Sequence, residues 1–190
     1  MEKTILYCDE AGDNTDLVLA AAKKRAKELK IRDVVVASTH GSTAIRAKDF
    51  FADPKLNLVA VGIAEGYREN GWCFTEAEKA KLDKAGIKPL VATHALGDGV
   101  ASSFTDQSGG RSIEQIVRDT LYRFGQGMKV CVEITLMAAD AGLIPMDHEV
   151  MAIAGTAKGT DTCIIVKPAY PRKFQELEIR EIVAKPRNLS

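Results

Sequence analysis

Short apolar runs alternate with amphipathic segments along the first third of the chain. Residues 4–8, 34–37 and 56–63 are compact apolar runs, which is the pattern of strands that are covered on both faces. Between the first two runs, apolar residues recur at helical spacing from Val18 to Leu29, and a second helix is predicted from Ser42 to Phe51. This β-α-β-α-β order predicts a parallel sheet with right-handed crossovers.

Capping signals and further apolar runs predict the elements of the remaining chain. Two helix starts are marked by residue pairs with capping-box spacing, Thr75 with Glu78 and Ser112 with Gln115. Further strands are predicted at residues 88–93, 149–154, 161–167 and 177–184, the last of them an edge strand ended by Pro186. Together these elements predict a three-layer, doubly wound α/β fold with a mainly parallel sheet, helices on both faces and late antiparallel edge strands.

Two segments are harder to interpret. Residues 127–142 alternate like a strand but also fit one face of a helix, and we prefer a largely buried helix because Gly142 and Pro145 form a helix stop. Residues 99–111 are polar, contain glycines and show no periodicity. A loop of that length inside a compact domain is usually a lid or a binding loop.

Composition and charge exclude several classes of protein. A length of 190 residues is most economically one domain spanning residues 1–190. The 26 basic and 26 acidic residues balance, which gives no electrostatic footprint for nucleic acid or for a membrane surface. The start has no leader-like apolar region, and no run has the length of a membrane span. We therefore expect a soluble, cytoplasmic protein without nucleic-acid or membrane partners, and homo-oligomerisation is left open.

The segment after the second predicted strand is the main candidate for binding chemistry. A buried strand, a small polar loop and a helix start bring backbone N–H groups and hydroxyls together around an anion. Each helix-end interaction contributes only about 0.3–1 kcal/mol, so several donors must act together. The loop residues expected to hold the phosphate of a small ligand are Ser38, Thr39, His40, Gly41, Ser42 and Thr43. The alternative is that Ser42 or Thr43 merely caps a helix.

The other predicted strand ends extend this candidate site. In an open parallel sheet, ligands bind beyond the carboxyl ends of the strands, where the strand order reverses. The residues that this rule selects are Glu10, Gly62, Ile63, Thr93, His94, Ala95, Gly155, Thr156 and Ala157. Arg111 and Lys158 lie in glycine-bearing turns, from which either could reach a phosphate, although ordinary surface charge explains them equally well. Loops of this kind are also generally polar and glycine-rich, whatever they bind.

Few residues point to catalysis. His40 and His94 both follow a threonine at a strand end and could take part in acid–base chemistry, but a loop histidine is more often a hydrogen-bonding residue. Glu133 lies in an apolar context and should either hydrogen-bond or face the crevice. The four cysteines are scattered and the histidines lack further ligands at metal spacing, so neither a disulfide framework nor a metal site is expected.

Motifs of several enzyme classes are missing from the sequence. No G-x-x-x-x-G-K-S/T loop supports hydrolysis of a nucleoside triphosphate, and no G-x-G-x-x-G follows the first predicted strand. No G-x-S-x-G elbow indicates a hydrolase.

Two stretches carry a resemblance to a known family. The stretch VVVASTHGSTA resembles the effector-loop segment of the pyruvate kinase C-terminal α/β domain: Gly41, Thr43 and Ala44 fall on the family pattern. Ser38 stands where threonine is usual, His40 where serine is usual, and Ser42 where a basic residue is common. The tail at residues 160–187 is similar to that of small stand-alone relatives, which are associated with bound flavin mononucleotide (FMN).

The resemblance implies a pyruvate kinase C-terminal domain-like fold and an FMN cofactor. The catalytic barrel of pyruvate kinase has no counterpart in this chain, so that activity is not expected to transfer. We therefore expect the protein to bind a phosphorylated cofactor, FMN by resemblance, at the carboxyl ends of the strands. If it is an enzyme, we expect a flavin-dependent redox role. The alternative is a non-catalytic regulatory module that senses a phosphorylated metabolite.

Overall fold

The computed structural model describes residues 4–189. Its strands are β1 (Leu6–Glu10), β2 (Asp33–Ala37), β3 (Asn57–Val61), β4 (Lys88–Leu90), β5 (Val150–Ala154), β6 (Thr162–Lys167) and β7 (Glu178–Asn188). Its α-helices are α1 (Thr15–Leu29), α2 (Ser42–Phe51), α3 (Glu76–Lys84), α4 (Val100–Ser108), α5 (Ile113–Leu121) and α6 (Gln126–Asp140). Short 3-10 helices lie at Glu65–Asn70, Tyr122–Phe124 and Pro171–Glu176.

The seven strands form one mixed sheet in the order β1-β7-β6-β5-β2-β3-β4. Strands β2, β3, β4 and β5 are parallel, and β1 is parallel to β7. Strand β6 is antiparallel to both of its neighbours, β5 and β7. The chain runs outward from β2 to β4 and then crosses back to β5, so the strand order reverses between β2 and β5. That reversal is the place where a doubly wound sheet opens a crevice.

Two apolar cores cover the two faces of the sheet. Within β2, Val34 and Val36 belong to one core, whereas Val35 belongs to the other, because successive side chains of a strand point to opposite faces. The first core packs α1, α2 and α3 against the sheet, and the second packs α5 and α6. Helices on both faces make three layers, which confirms the predicted fold class.

The helical interpretation of residues 127–142 is confirmed by α6. All but three of the fifteen residues of α6 are buried, because the helix lies across β2, β5 and β6. A helix that is buried on nearly every side has no polar stripe, and this explains why its sequence alternates in a way that a strand also allows. Both capping boxes are confirmed as well, with Thr75 starting α3 and Ser112 starting α5.

Several predictions about elements need correction. The polar stretch 99–111 was expected to be a loop, but most of it, Val100–Ser108, forms α4. The hydroxyls of Ser103 and Ser108 donate to the carbonyls of Val100 and Phe104, one turn back, so these polar side chains are accommodated within the helix. Val100 and Phe104 remain exposed, and the one buried residue of the helix is Ser102, so α4 does not bury an apolar face.

The last strand was expected at the edge of the sheet, but β7 lies between β6 and β1, and β1 is the edge strand. Pro186 was expected to end that strand but lies inside it, paired in register with Cys8 of β1. The predicted bounds also differ: the first strand runs from Leu6 to Glu10 rather than over residues 4–8, and β3 and β4 end earlier than expected. Among residues 4–189 no helix is both long enough and apolar enough to cross a membrane.

Candidate functional site

A cavity of about 500 Å³ opens at the carboxyl ends of β2, β3 and β5. It straddles the edge of the sheet between the start of α2 on one face and α6 on the other. Ten of the residues selected from the sequence line it: Ser38, Thr39, His40, Ser42, Thr43, Gly62, Ile63, His94, Gly155 and Ala157. Most of the candidate residues therefore lie around one cavity, as expected for residues that follow the carboxyl ends of neighbouring parallel strands.

Six of the selected residues do not line this cavity. Glu10 is exposed on the edge strand β1, and Thr93 and Ala95 line a neighbouring cavity of about 420 Å³. Arg111 is exposed and pairs with Asp119, at 3.2 Å.

Gly41 and Thr156 belong to the same two loops but do not line the cavity. Gly41 is buried at the start of α2, and the N–H of Thr156 donates to Asp161 at 3.0 Å.

The β2–α2 loop presents unused donors to the cavity. Gly41 is the N-cap of α2 with φ of 82°, a left-handed conformation that favours glycine. Ser38 is buried, and its hydroxyl accepts from the N–H of Ala44 at 3.4 Å. Neither Ser42 nor Thr43 caps the helix through its side chain, so that alternative is wrong. Their N–H groups lie in the first helical turn, where no intrahelical carbonyl is within reach.

The β5–β6 turn forms the opposite rim and is held by a buried carboxylate. Asp161 is fully buried and accepts from the N–H groups of Gly12 and Thr156, each at 3.0 Å, and from the hydroxyl of Thr162 at 2.7 Å. These bonds fix the turn rigidly against the start of the chain. Lys158 is exposed at the tip of the turn and lines the cavity.

His94 is fixed by hydrogen bonds on both ring nitrogens. Its Nε2 accepts from the N–H of Ala64 at 3.2 Å, and its Nδ1 pairs with Asp98. The hydroxyl of Tyr67 also donates to Asp98, and the bond from His94 holds the pKa of Asp98 below its ordinary value. With both nitrogens in use, His94 orients the loops after β3 and β4 rather than offering a free base.

His40 is about half exposed at the mouth of the cavity, with Nδ1 3.2 Å from Glu78. The pKa of Glu78 is lowered, first by the N–H of Thr75 in the capping box, so Glu78 already has partners within its own helix start.

The wall of the cavity formed by α6 holds a buried ion pair. Lys129 and Glu133 are 8% and 3% exposed, and Lys129 Nζ lies 2.5 Å from Glu133 Oε2. The other oxygen of Glu133 accepts from the N–H of Leu96 at 2.9 Å. Glu133 thus both hydrogen-bonds and faces the crevice, the two outcomes expected for it. Lys129 was not selected from the sequence, although a lysine one turn before a glutamate in an apolar helix is a recognisable signal.

One glycine of the site is required by packing rather than by a ligand. A Cβ atom on Gly62 would lie 2.6 Å from the ring of Phe74, which is completely buried.

No group of three or more histidine, cysteine, aspartate or glutamate side chains suited to a metal ion occurs among residues 4–189.

The fold and the crevice together define a doubly wound α/β domain with its open site at the carboxyl edge of the sheet. The chain belongs to the family described as "Pyruvate kinase, alpha/beta domain", whose family model matches residues 16–166. The expected membership of a pyruvate kinase C-terminal domain-like family is thereby confirmed, whereas the association with FMN stays a prediction.

Among solved structures, the chain is similar to one described as Cryptosporidium parvum pyruvate kinase in complex with ADP. The identity is 15%, the TM-score is 0.39, and the match covers 79% of this chain and 22% of that chain. This chain therefore corresponds to a small part of the length of that enzyme.

Proposed function

We propose that this protein binds a phosphorylated small-molecule cofactor, FMN, across the crevice at the carboxyl edge of the sheet. The phosphate binds to the β2–α2 loop, and the ring lies along the ends of β3 and β5. The observation that carries this proposal is that Ser42 and Thr43 begin α2 at the wall of a 500 Å³ cavity, without either side chain capping the helix.

The chemistry of the loop suits a phosphate. Two hydroxyls, the first-turn N–H groups of α2 and the helix dipole all favour an anion at one point. Lys158 adds a positive charge on the opposite rim. Hydrogen bonds to a charged group contribute about 1.5–3 kcal/mol each, so two or three such donors suffice for a stable phosphate anchor.

The size of the cavity suits a mononucleotide-sized ligand. Small-molecule pockets occupy about 300–1,000 Å³, and the cavity of about 500 Å³ falls within that range. The choice of FMN among phosphorylated ligands is supported by the resemblance of the chain to stand-alone relatives that are associated with this cofactor. Bound FMN would supply electron-transfer chemistry, and the protein would hold its phosphate and ring.

The regulatory module remains the second candidate function. The observation that favours it is the engagement of both ring nitrogens of His94 by Ala64 and Asp98. Because both nitrogens of this histidine are engaged in holding loops, His94 fits a site for sensing or carrying a ligand better than it fits acid–base catalysis.

Absorption spectroscopy and ligand titration test the proposal. The purified protein is expected to be yellow, and after removal of the ligand it should bind FMN more tightly than riboflavin, which lacks the phosphate. The double variant Ser42→Ala/Thr43→Val should weaken FMN binding by about tenfold or more, because two donors to the phosphate are lost. Binding of riboflavin should be unchanged.

The matched control is Thr120→Val, which removes a hydroxyl that donates to Ile116 on the distant helix α5. Equal affinities of the wild-type protein for FMN and riboflavin, or an unaltered FMN affinity of the double variant, would show that the phosphate binds elsewhere. A colourless protein that takes up neither ligand would refute the flavin assignment.

A further inference from the structure

The ion pair Lys129–Glu133 has donor capacity that the protein does not use. A lysine ammonium has three N–H donors, and one of them is directed at Glu133. Within residues 4–189 no second acceptor contacts Lys129 Nζ, although only 8% of the residue is exposed. Because Lys129 lines the cavity, a ligand in the crevice is the group placed to accept from it.

Stability alone does not account for this pair. Removing two charges from water is costly, and replacing a buried ion pair with apolar residues is often neutral or stabilising. The rest of α6 shows that apolar residues are accommodated at this interface, since Met128, Cys131 and Val132 beside the pair are buried in the cores. The burial of this ion pair is therefore explained better by a role in ligand binding than by packing.

Lys129 and the β2–α2 loop, where we propose that the phosphate binds, lie on opposite faces of the sheet. Helix α2, which starts at Ser42, packs into the first core through Ala44 and Ala47. Helix α6 packs into the second core through Met128 and Val132. A ligand that spans the cavity from one face to the other therefore brings its phosphate-free end toward Lys129.

We infer that Lys129 determines which ligand the crevice accepts, by donating to a hydrogen-bond acceptor at the end of the ligand remote from the phosphate. Glu133 is a positioning residue, since it holds the ammonium through one oxygen and is itself fixed by the N–H of Leu96 through the other. This inference depends on the proposed function. For a flavin, the acceptor is the carbonyl and nitrogen edge of the pyrimidine ring.

The experiment combines protein variants with a truncated ligand. Lys129→Met removes the charge while keeping the length of the side chain. Lys129→Met/Glu133→Gln also removes the unpaired carboxylate and keeps an acceptor for Leu96, so it serves where the single variant does not fold. Both variants are titrated with FMN and with riboflavin, and Lys55→Met, an exposed lysine at the other edge of the sheet, is the control.

We expect each Lys129 variant to weaken binding of FMN and of riboflavin by the same factor, about tenfold or more. The ratio of the two affinities should match the wild-type ratio, because the phosphate contacts are intact. In Lys129→Met the reduction potential of the bound flavin should also become more negative, since a positive charge near the ring is lost while the carboxylate of Glu133 is kept. A purely structural role of Lys129 would leave that potential unchanged.

Different results separate the failure of this inference from the failure of the proposed function. A loss confined to FMN would mean that Lys129 contacts the phosphate, and an unaltered affinity for both ligands would make the pair structural. Either result overturns the inference while the wild-type protein still binds FMN. A wild-type protein that binds neither ligand overturns the proposed function and this inference with it.

Discussion

Polar networks lie at both edges of the sheet, and they differ in burial. At the carboxyl edge, the side chains of Lys129 and Glu133 are 10% and 4% exposed and border the cavity. At the amino edge, His148 Nε2 lies 2.9 Å from Asp33, and Asn57 donates to the same carboxylate at 2.8 Å. The side chains of His148 and Asp33 are 54% and 15% exposed, so water reaches this second network from the histidine side.

The difference in burial gives the two networks different roles. Charges in water are screened, and an exposed pair contributes about 0–1 kcal/mol. Buried charges lose their hydration, and each then depends strongly on its partner. The amino-edge network ties together the starts of β2, β3 and β5, whereas the carboxyl-edge pair is a costly arrangement at the wall of a binding crevice.

The largest expected effect comes from removing the buried carboxylate. Glu133→Ala leaves Lys129 as an unpaired buried charge and the N–H of Leu96 without its acceptor. We expect the free energy of unfolding to fall by about 3–5 kcal/mol. Urea denaturation followed by circular dichroism measures it.

The control for that change is Lys129→Met/Glu133→Gln, which removes both charges and keeps an acceptor for Leu96. This double variant should recover most of the lost stability. If Glu133→Ala costs no more than a typical surface substitution, the pair is better hydrated than its burial indicates, and the contrast between the two edges disappears.

A smaller effect is expected from adding a methyl group to the closely packed β5–β6 turn at the carboxyl edge. A Cβ atom on Gly155 would lie 2.6 Å from the carbonyl oxygen of Gly159 and 2.7 Å from Cα of Thr160. Both contacts are backbone atoms of the β5–β6 turn and cannot rotate away, so Gly155→Ala should destabilise the protein by about 1–3 kcal/mol. Thermal and urea unfolding would measure the loss.

Gly66→Ala is the matched control, because no atom lies within 4 Å of the position of its Cβ. Its effect should stay within about 0.5 kcal/mol. Similar losses in the two alanine variants would show that the turn is not tightly packed.

The smallest effect is a pH dependence at the amino edge. The hydrogen bond to Asp33, aided by Asp147, raises the pKa of His148 above its ordinary value. The stabilisation from this pair is therefore complete below about pH 6.5, the ordinary pKa of histidine, and is lost as the pH rises through the raised pKa of the folded protein. His148→Gln should be less stable than wild type by at most about 1 kcal/mol at low pH, and equal to it at high pH.

Urea unfolding of both proteins across this pH range measures the difference, and added salt should shrink it because the His148 side of the pair is exposed. A difference that grows with rising pH would have the wrong sign for a raised pKa.

Sequence reasoning selected most of the polar residues that line the cavity, because these residues follow apolar strands. Ser42 and Thr43 could be found in this way, since a short buried strand and a polar turn are local patterns. Lys129 was missed although Glu133 on the same helix was singled out, because an isolated lysine is most often a solvated surface residue and only the fold buries this one beside the crevice. Helix α4 was missed because it does not bury an apolar face, and its sequence is largely polar.

What the sequence determined by itself was the fold class and, apart from α4, the order of the main helices and strands, since both follow from local hydrophobic periodicity and capping residues. The tertiary structure decided that β7 lies inside the sheet, that His94 has both ring nitrogens engaged, and that Lys129 faces the crevice beside Glu133. The pairs His94–Asp98 and Lys129–Glu133 are each four residues apart and are local, but the strand order, the bond from Ala64 to His94 and the position of α6 at the crevice join residues that are distant in the chain. No local pattern encodes these long-range contacts, because the neighbour of a strand edge or of a helix face is fixed only when the whole sheet has assembled.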